Sequence, residues 1–292
     1  MVLPKYTPYL NGQGGVRIGL KPIEENNWLE IDDNFKSEIE IKKSLLLSNR
    51  NEVLQISKNS LPAQKKLLEL ILNHLKEYYP DKYDFGEGFV HVKALNETFD
   101  LTKEDSIPIK IASMLVQEDL ILMMPKGDEF YLEAASLVAP SHWSLIEKFS
   151  KSLMNVHAGV PGYKEKIGPR VNQIFNKLPT DRILERLNWS IYDSPELFQP
   201  IDHKQNVKVK IKSIKDLYLR VERQTIRKLE NHGSVVFTVR VHVDPLISIS
   251  KNQNLLSSLE MAINKLPQET KEYKALDQIE EEVLNWIGGL TN

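Results

Sequence analysis

The chain has no cysteine among its 292 residues. Disulfides, thiolate nucleophiles, cysteine-held iron–sulfur clusters and thiolate-ligated haem are therefore excluded. A tightly held transition metal would have to lean on the seven histidines. Glycine is sparse too, at 13 residues, and the glycine-built nucleotide motifs are missing. There is no P-loop and no Gly-x-Gly-x-x-Gly, and neither a zinc-type His-Glu-x-x-His nor a nucleophile elbow occurs. Neither sign of charge dominates: 38 basic against 40 acidic side chains leave a formal charge of -2. The basic excess of a general nucleic-acid binder is thus lacking. No apolar run approaches the roughly 20 residues that cross a bilayer. The opening stretch, MVLPKYTPYLNGQGG, has no apolar core followed by a cleavage site, so a secretory signal is not expected. A cytoplasmic protein that binds neither membrane nor nucleic acid is the expectation.

What is present is an ordinary globular composition, 41 % hydrophobic and 27 % charged. The length suits one large domain or two closely packed ones. Helical spacing is read over 35–48, 62–79, 107–116, 142–154, 163–178, the stretch beyond 255, and 276–287. In the second of these Leu68, Ile71, Leu72, Leu75 and Tyr79 recur on one face, with Lys65, Glu69, His74 and Lys76 facing outward. Gly288 and Gly289 are expected to end the last helix. Strands are expected over 119–124 and 130–138 around a Pro125–Asp128 turn, with a short one at 189–192. Two stronger strands, 217–222 and 235–243, alternate apolar and polar residues. Residues 83–92 have no clean period. Helices, then antiparallel strands, then helices define an α+β fold. The expected division is an N-terminal helical region (1–82), a core (83–246) and a C-terminal helical extension (247–292).

Few residues carry obvious chemistry. The histidine pairs His232/His242 and His142/His157 lack tight metal-ligand spacing, and the NGQGG loop at 11–15 has no strand–helix setting. His157 is more distinctive. It sits in NVHAGVPGY, past an amphipathic helix, where Gly159, Pro161 and Gly162 shape the backbone around the imidazole. Histidine is a common axial ligand of haem iron; a hydrogen-bonded histidine at a helix end is the plainer alternative. In LRVERQTIRKL, Arg220 and Glu222 share a strand face, as do Arg240 and His242 on the next strand. Suitable pairing would gather these four into one charged patch. That patch is either the solvent face of a sheet or a covered site where arginines hold an anion. Arg223 falls on the apolar face by strict alternation.

Four blocks in order then carry a likeness. They are IGLKPIEENNWLEID from Ile18, LVAPSHWSLIEKFSKSLMNVHAGVPGY from Leu137, RLNWSIYD from Arg186 and LRVERQTIRKLENHGSVVFTVRVHVDPL from Leu219. With them the chain resembles the haem-dependent oxidative N-demethylase α-subunit-like family over residues 17–246. The resemblance implies a PAS-like antiparallel sheet with packed helices, used as an enzyme. It implies b-type haem (heme b) and oxidative demethylation of a small methylated amine such as dimethylamine with O₂, releasing formaldehyde. Electrons would come from a separate flavin and iron–sulfur reductase subunit. By motif His157 is the expected iron ligand, Arg220, Arg223 and Arg240 the expected partners of the haem carboxylates, and Glu222 the candidate catalytic carboxylate. The chain departs from the family pattern at Lys228-Leu229-Glu230, at Gly159-Val160-Pro161 and at Ala139, which bears on the substrate more than on the fold. A PAS-like haem or small-molecule sensor without turnover, and a binding protein that has lost iron, are the alternatives.

Overall fold

The structure is a computed structural model and describes residues 2–13, 18–103, 106–200 and 211–291. The last two glycines of the NGQGG loop lie outside the described residues, as do residues 201–206 of the stretch 194–206, which the sequence pattern predicts to be a loop. In chain order the elements are β1 (Lys21–Ile23), α1 (Phe35–Ser48), α2 (Arg50–Val53), β2 (Leu54–Ile56), α3 (Leu61–Tyr78), β3 (Tyr83–Gly86), β4 (Phe89–Val92), β5 (Glu97–Asp100), α4 (Pro108–Leu115), β6 (Asp119–Lys126), β7 (Glu129–Ser136), α5 (Leu145–Lys148), α6 (Leu153–Val156), a π-turn (Tyr163–Ile167) running into α7 (Gly168–Lys177), β8 (Ile183–Tyr192), β9 (Tyr218–Lys228), β10 (Val235–Pro245), α8 (Gln253–Lys265), α9 (Gln268–Tyr273) and α10 (Glu280–Thr291).

Among the described residues seven strands form one sheet in the order β1-β8-β9-β10-β6-β7-β2. Every neighbouring pair is antiparallel, so the fold is α+β as expected. The β6–β7 hairpin closes between Lys126 and Glu129, which pair, and Gly127 takes φ +61° in the turn. That positive φ suits a two-residue hairpin loop and favours glycine there. The stretch without a period, 83–92, belongs to a small antiparallel sheet β3-β4-β5.

Both faces of the large sheet are covered. Val235 and Val236, neighbours on β10 and hence on opposite faces, are each 0 % exposed. On one face α1, α3 and α4 pack around Trp28, Ile71 and Val236, while α8 and α10 pack against Trp189, Leu219 and Val221. On the other face the 137–178 segment covers Ile121, Leu132, Ile226, Val239 and Val241. Covering on both sides explains the near-continuous apolar run of β10 and removes the solvent-face alternative.

Several expectations are corrected. The helix read over 142–154 is interrupted. Ser150, at φ +57°, donates its N–H to Leu132 O at 2.8 Å, and Leu132 donates back to Lys151 O at 3.0 Å. The chain thus supplies partners to backbone groups of β7 beyond its short pairing with β2, and those bonds win over helical continuity. His74, expected outward, is 3 % exposed and meets Trp28 edge to face, ring centroids 5.3 Å apart. Gly288 and Gly289 lie inside α10. Neither has the positive φ of a helix-ending glycine.

Candidate functional site

The longer strands decide where the charged residues go. β9 runs six residues past its expected end, to Lys228, so Arg223 lies in mid-strand. The β9–β10 register pairs Arg220 with Val243, Glu222 with Val241 and Arg223 with Arg240. Directly paired residues share a face. Arg220 and Glu222 therefore project to one face and Arg223, Arg240 and His242 to the other. The expected single patch is split in two by a register that opposes even-numbered residues to odd-numbered ones.

On the second face the charges are satisfied within the protein. Arg240 donates to Asp32 Oδ2 at 2.8 Å and pairs with Glu38 Oε2 at 2.7 Å. Arg223 donates to Glu185 Oε2 at 2.6 Å, to Trp28 O at 3.0 Å and to Asn27 O. His242 Nε2 lies 2.9 Å from Glu30 Oε2, and Tyr6 donates to Glu30 Oε1 at 2.6 Å. These contacts fasten the Ile18 block to the Leu219 block.

The first face holds a cavity of about 600 Å³, within the range of cofactor and ligand pockets. Its walls include Ile121, Met123, Leu132, Val156, Ile226, Phe237 and Val239. Polar groups converge at one end: Ser141, Arg186, Asn188, Arg220, Glu222 and Lys274. Arg220 is 1 % exposed and uses its whole guanidinium. It donates to Ser141 Oγ at 3.1 Å, Glu196 O at 3.0 Å, Ala139 O at 3.1 Å, Pro140 O at 3.3 Å and Leu197 O at 2.9 Å. Glu222 accepts from Ser141 Oγ, from Asn188 Nδ2 at 3.2 Å and from Gln224 Nε2 at 2.7 Å. Burial raises its pKa, but the Ser141 hydrogen bond and the Arg220 charge outweigh that, and the carboxyl titrates below its usual value. Lys274 donates to Asn188 Oδ1 at 3.0 Å, and burial lowers its pKa to about 8.

His157 follows α6 and lines the same cavity. Its Nδ1 is 2.9 Å from Leu153 O. A carbonyl only accepts, so Nδ1 carries the proton and Nε2 keeps its lone pair. Nε2 has no hydrogen-bond partner among the described residues. The ring stacks on Tyr163, centroids 4.4 Å apart. Burial lowers its pKa to about 4, so the imidazole is neutral near pH 7, the form that binds metal. No group of three or more His, Cys, Asp or Glu side chains among the described residues is arranged to hold a metal ion.

Neither Arg186 nor Asn188 is among the candidate site residues predicted from the sequence. Both lie on the ten-residue β8, of which only the last four residues were read as strand. The signal was there: Arg186, Asn188, Ser190 and Tyr192 alternate with Leu187, Trp189 and Ile191.

Fold and cavity together define an α+β protein with a partly open ligand cavity, apolar along one stretch and polar at one end, lined by a neutral imidazole with an unpartnered nitrogen. The chain belongs to the haem-dependent oxidative N-demethylase, alpha subunit-like family, which it matches over residues 19–284. The match takes in α8 and α9 and part of α10, beyond the blocks that first carried the likeness. No helix among the described residues is long and apolar enough to cross a membrane.

Proposed function

We propose that the protein is the haem-carrying component of an oxidative N-demethylase acting on a small methylated amine such as dimethylamine. The observation that carries this reading is His157: a neutral, doubly anchored imidazole with Nε2 unpartnered among the described residues, lining a cavity of about 600 Å³, in a chain of this family. The residues fit a b-type haem. His157 would hold the iron, and Ile121, Met123, Leu132, Phe237 and Val239 offer apolar surface to a macrocycle. When bound, haem supplies the one-electron and O₂ chemistry that oxidises an N-methyl group. The protein's share is to exclude water, orient the imidazole and hold the amine. Glu222, ionised and lining the cavity, is the carboxylate we assign to the ammonium end.

The PAS-like reading of the core draws support from its five central strands, which run β8-β9-β10-β6-β7. The first and last of these in the chain, β6 and β10, sit side by side, and helical turns cross one face. Residues 1–82 and 247–292 would be extensions: the first adds the edge strands β1 and β2 to the sheet, and the helices α1, α3, α8 and α10 pack on the other face. A separate flavin and iron–sulfur reductase subunit would deliver electrons. The alpha-subunit-like family name supports further subunits, and a chain without cysteine has no thiolates to hold an iron–sulfur cluster of its own.

The test is to add haem to the purified protein, record a Soret band, reduce it, and supply O₂ with dimethylamine. Formaldehyde should form in proportion to electrons consumed, and the amine should perturb the ferric spectrum. A Soret band with no response to any methylated amine would favour the sensor reading. No Soret band would end the haem reading.

A further inference from the structure

We propose that Arg186 is the carboxylate-binding residue of the cavity. The cofactor arm of this inference rests on the reading above; the residue's own state does not. Arg186 pairs with Gln224 across the β8–β9 ladder, so its side chain projects to the cavity face, where it lines the wall. It makes no hydrogen bond and no ion pair among the described residues, and its Nε is shut off from solvent without a partner.

The other arginines expected at the site are committed. Arg220 spends its donors on Ser141 and four carbonyls. Arg223 and Arg240 lie on the opposite face with carboxylates of their own. Glu222 is near enough to act on the charge of Arg186, yet the two form neither an ion pair nor a hydrogen bond; Glu222 accepts instead from Ser141, Asn188 and Gln224.

A half-buried guanidinium whose Nε is shut off from solvent without a partner is a costly arrangement, and an anion entering the cavity would complete it. The chemistry favours a carboxylate over a phosphate. The guanidinium fork meets a carboxylate or a phosphate through two parallel hydrogen bonds, so the rest of the wall decides between them. A phosphate cradle needs converging backbone N–H groups. Those of β8 around Arg186 are in the strand ladder, and much of the remaining wall is apolar. Two sources bring a carboxylate on an apolar or aminated body. One is the haem itself. The other is a methylated amine that also bears a carboxylate, an N-methyl amino acid, whose ammonium end would reach Glu222.

The experiment compares wild type with Arg186→Gln and Arg186→Lys. The first readout is the stability of the protein without haem. Removing an unpartnered, half-buried cation should leave the melting temperature of Arg186→Gln unchanged or raised. A drop as large as that of Arg220→Gln would mean a structural role and overturn the proposal. The second is Soret titration with haem and with haem dimethyl ester, which has no free carboxylate. If Arg186 holds the cofactor, Arg186→Gln should weaken haem about 10–100-fold and leave the ester unchanged, with Arg186→Lys in between. If it holds the substrate, haem affinity should stay put. Perturbation of the ferric spectrum by N-methylglycine should then be lost, and that by dimethylamine kept. Should the wild type bind no haem, the reading above fails by itself. Calorimetric titration of the haem-free proteins with benzoate then decides: wild type should bind and Arg186→Gln should not. No difference between wild type and Arg186→Gln in any ligand arm overturns the proposal.

Discussion

The rings of His157 and Tyr163 lie stacked, with centroids 4.4 Å apart and planes 11° from parallel. Gly162, at φ +66°, turns the chain so that Tyr163 opens the π-turn beneath the imidazole. The stack restrains the ring plane, while Leu153 O restrains rotation within it. An aromatic pair of this kind contributes about 0.5–1.5 kcal/mol beyond area burial. Tyr163→Leu should therefore weaken haem binding roughly 3–10-fold by Soret titration. Tyr163→Phe should match or exceed wild-type stability, because Tyr163 Oη is buried without a partner. Wild-type haem affinity in Tyr163→Leu would mean the stack plays no part in presenting His157.

The same imidazole predicts a pH dependence of stability in the haem-free protein. Burial lowers the His157 pKa from 6.5 to about 4. Between those values the unfolded chain binds the proton and the folded one does not, so stability rises with pH across that window. The contribution is fully present above pH 6.5 and is lost as pH falls toward 4. The loss is on the order of 2 kcal/mol, allowing for the ring's contact with the cavity. Urea denaturation at several pH values should reveal it, and His157→Gln should flatten that part of the profile. An unchanged profile in the variant would assign the slope to other groups.

Glu222 makes a separable prediction. Its carboxylate is held by Ser141, Asn188 and Gln224, and a glutamine there could accept from Asn188 and Gln224 through its oxygen while its amide N–H donates to Ser141 Oγ. Glu222→Gln should thus keep the cavity and the haem while losing the charge offered to an ammonium group. Amine affinity, read from the ferric spectrum, should fall about 10–100-fold, as for a lost charged hydrogen bond, with haem content near normal. If haem retention falls and amine affinity per haem does not, Glu222 serves instead to hold the Ser141–Arg220 corner in shape.

Much of this arrangement was legible in the sequence, and the limits have physical causes. Helix α1 was read to the residue, and the β6–β7 hairpin emerged from its turn, because local chemistry fixes both. His157 stood out from its glycine- and proline-shaped surroundings. What did not emerge was register. Whether Arg220 faces Arg240 or opposes it depends on which residues of β9 and β10 pair, and a shift of one residue reverses the answer. His74 also misled. Its buried place depends on Trp28, more than forty positions earlier in the chain. The fourth sequence block therefore serves both faces. Arg220 and Glu222 join it to Ser141 and Asn188 at the cavity, while Arg223 and Arg240 join it to Trp28 and Asp32 behind the sheet.

That two-sided role sets the last prediction, a contrast between Arg220 and Arg240. Both are buried and both are richly bonded, so loss of either should be costly. Arg240→Leu leaves Glu38 and Asp32 without their cation, and Arg220→Leu leaves four carbonyls and Ser141 without their donor. Breaking a buried charge pair from one side costs about 3–5 kcal/mol, and loss of the Arg220 clamp should be of similar size. The two should differ in what else they disturb. Arg220 pins residues 139–141 and 196–197 around the cavity, so its loss should also weaken haem binding to whatever protein remains folded. Arg240 lies behind the sheet, so haem affinity per folded molecule should match wild type. Urea denaturation followed by Soret titration at a temperature where each variant is folded separates the two quantities. Weakened haem affinity in Arg240→Leu, with no change in Arg220→Leu, would contradict the division of the two faces. Arg240→Lys, which keeps a cation beside Glu38 and Asp32, should recover part of the stability and leave haem affinity unchanged.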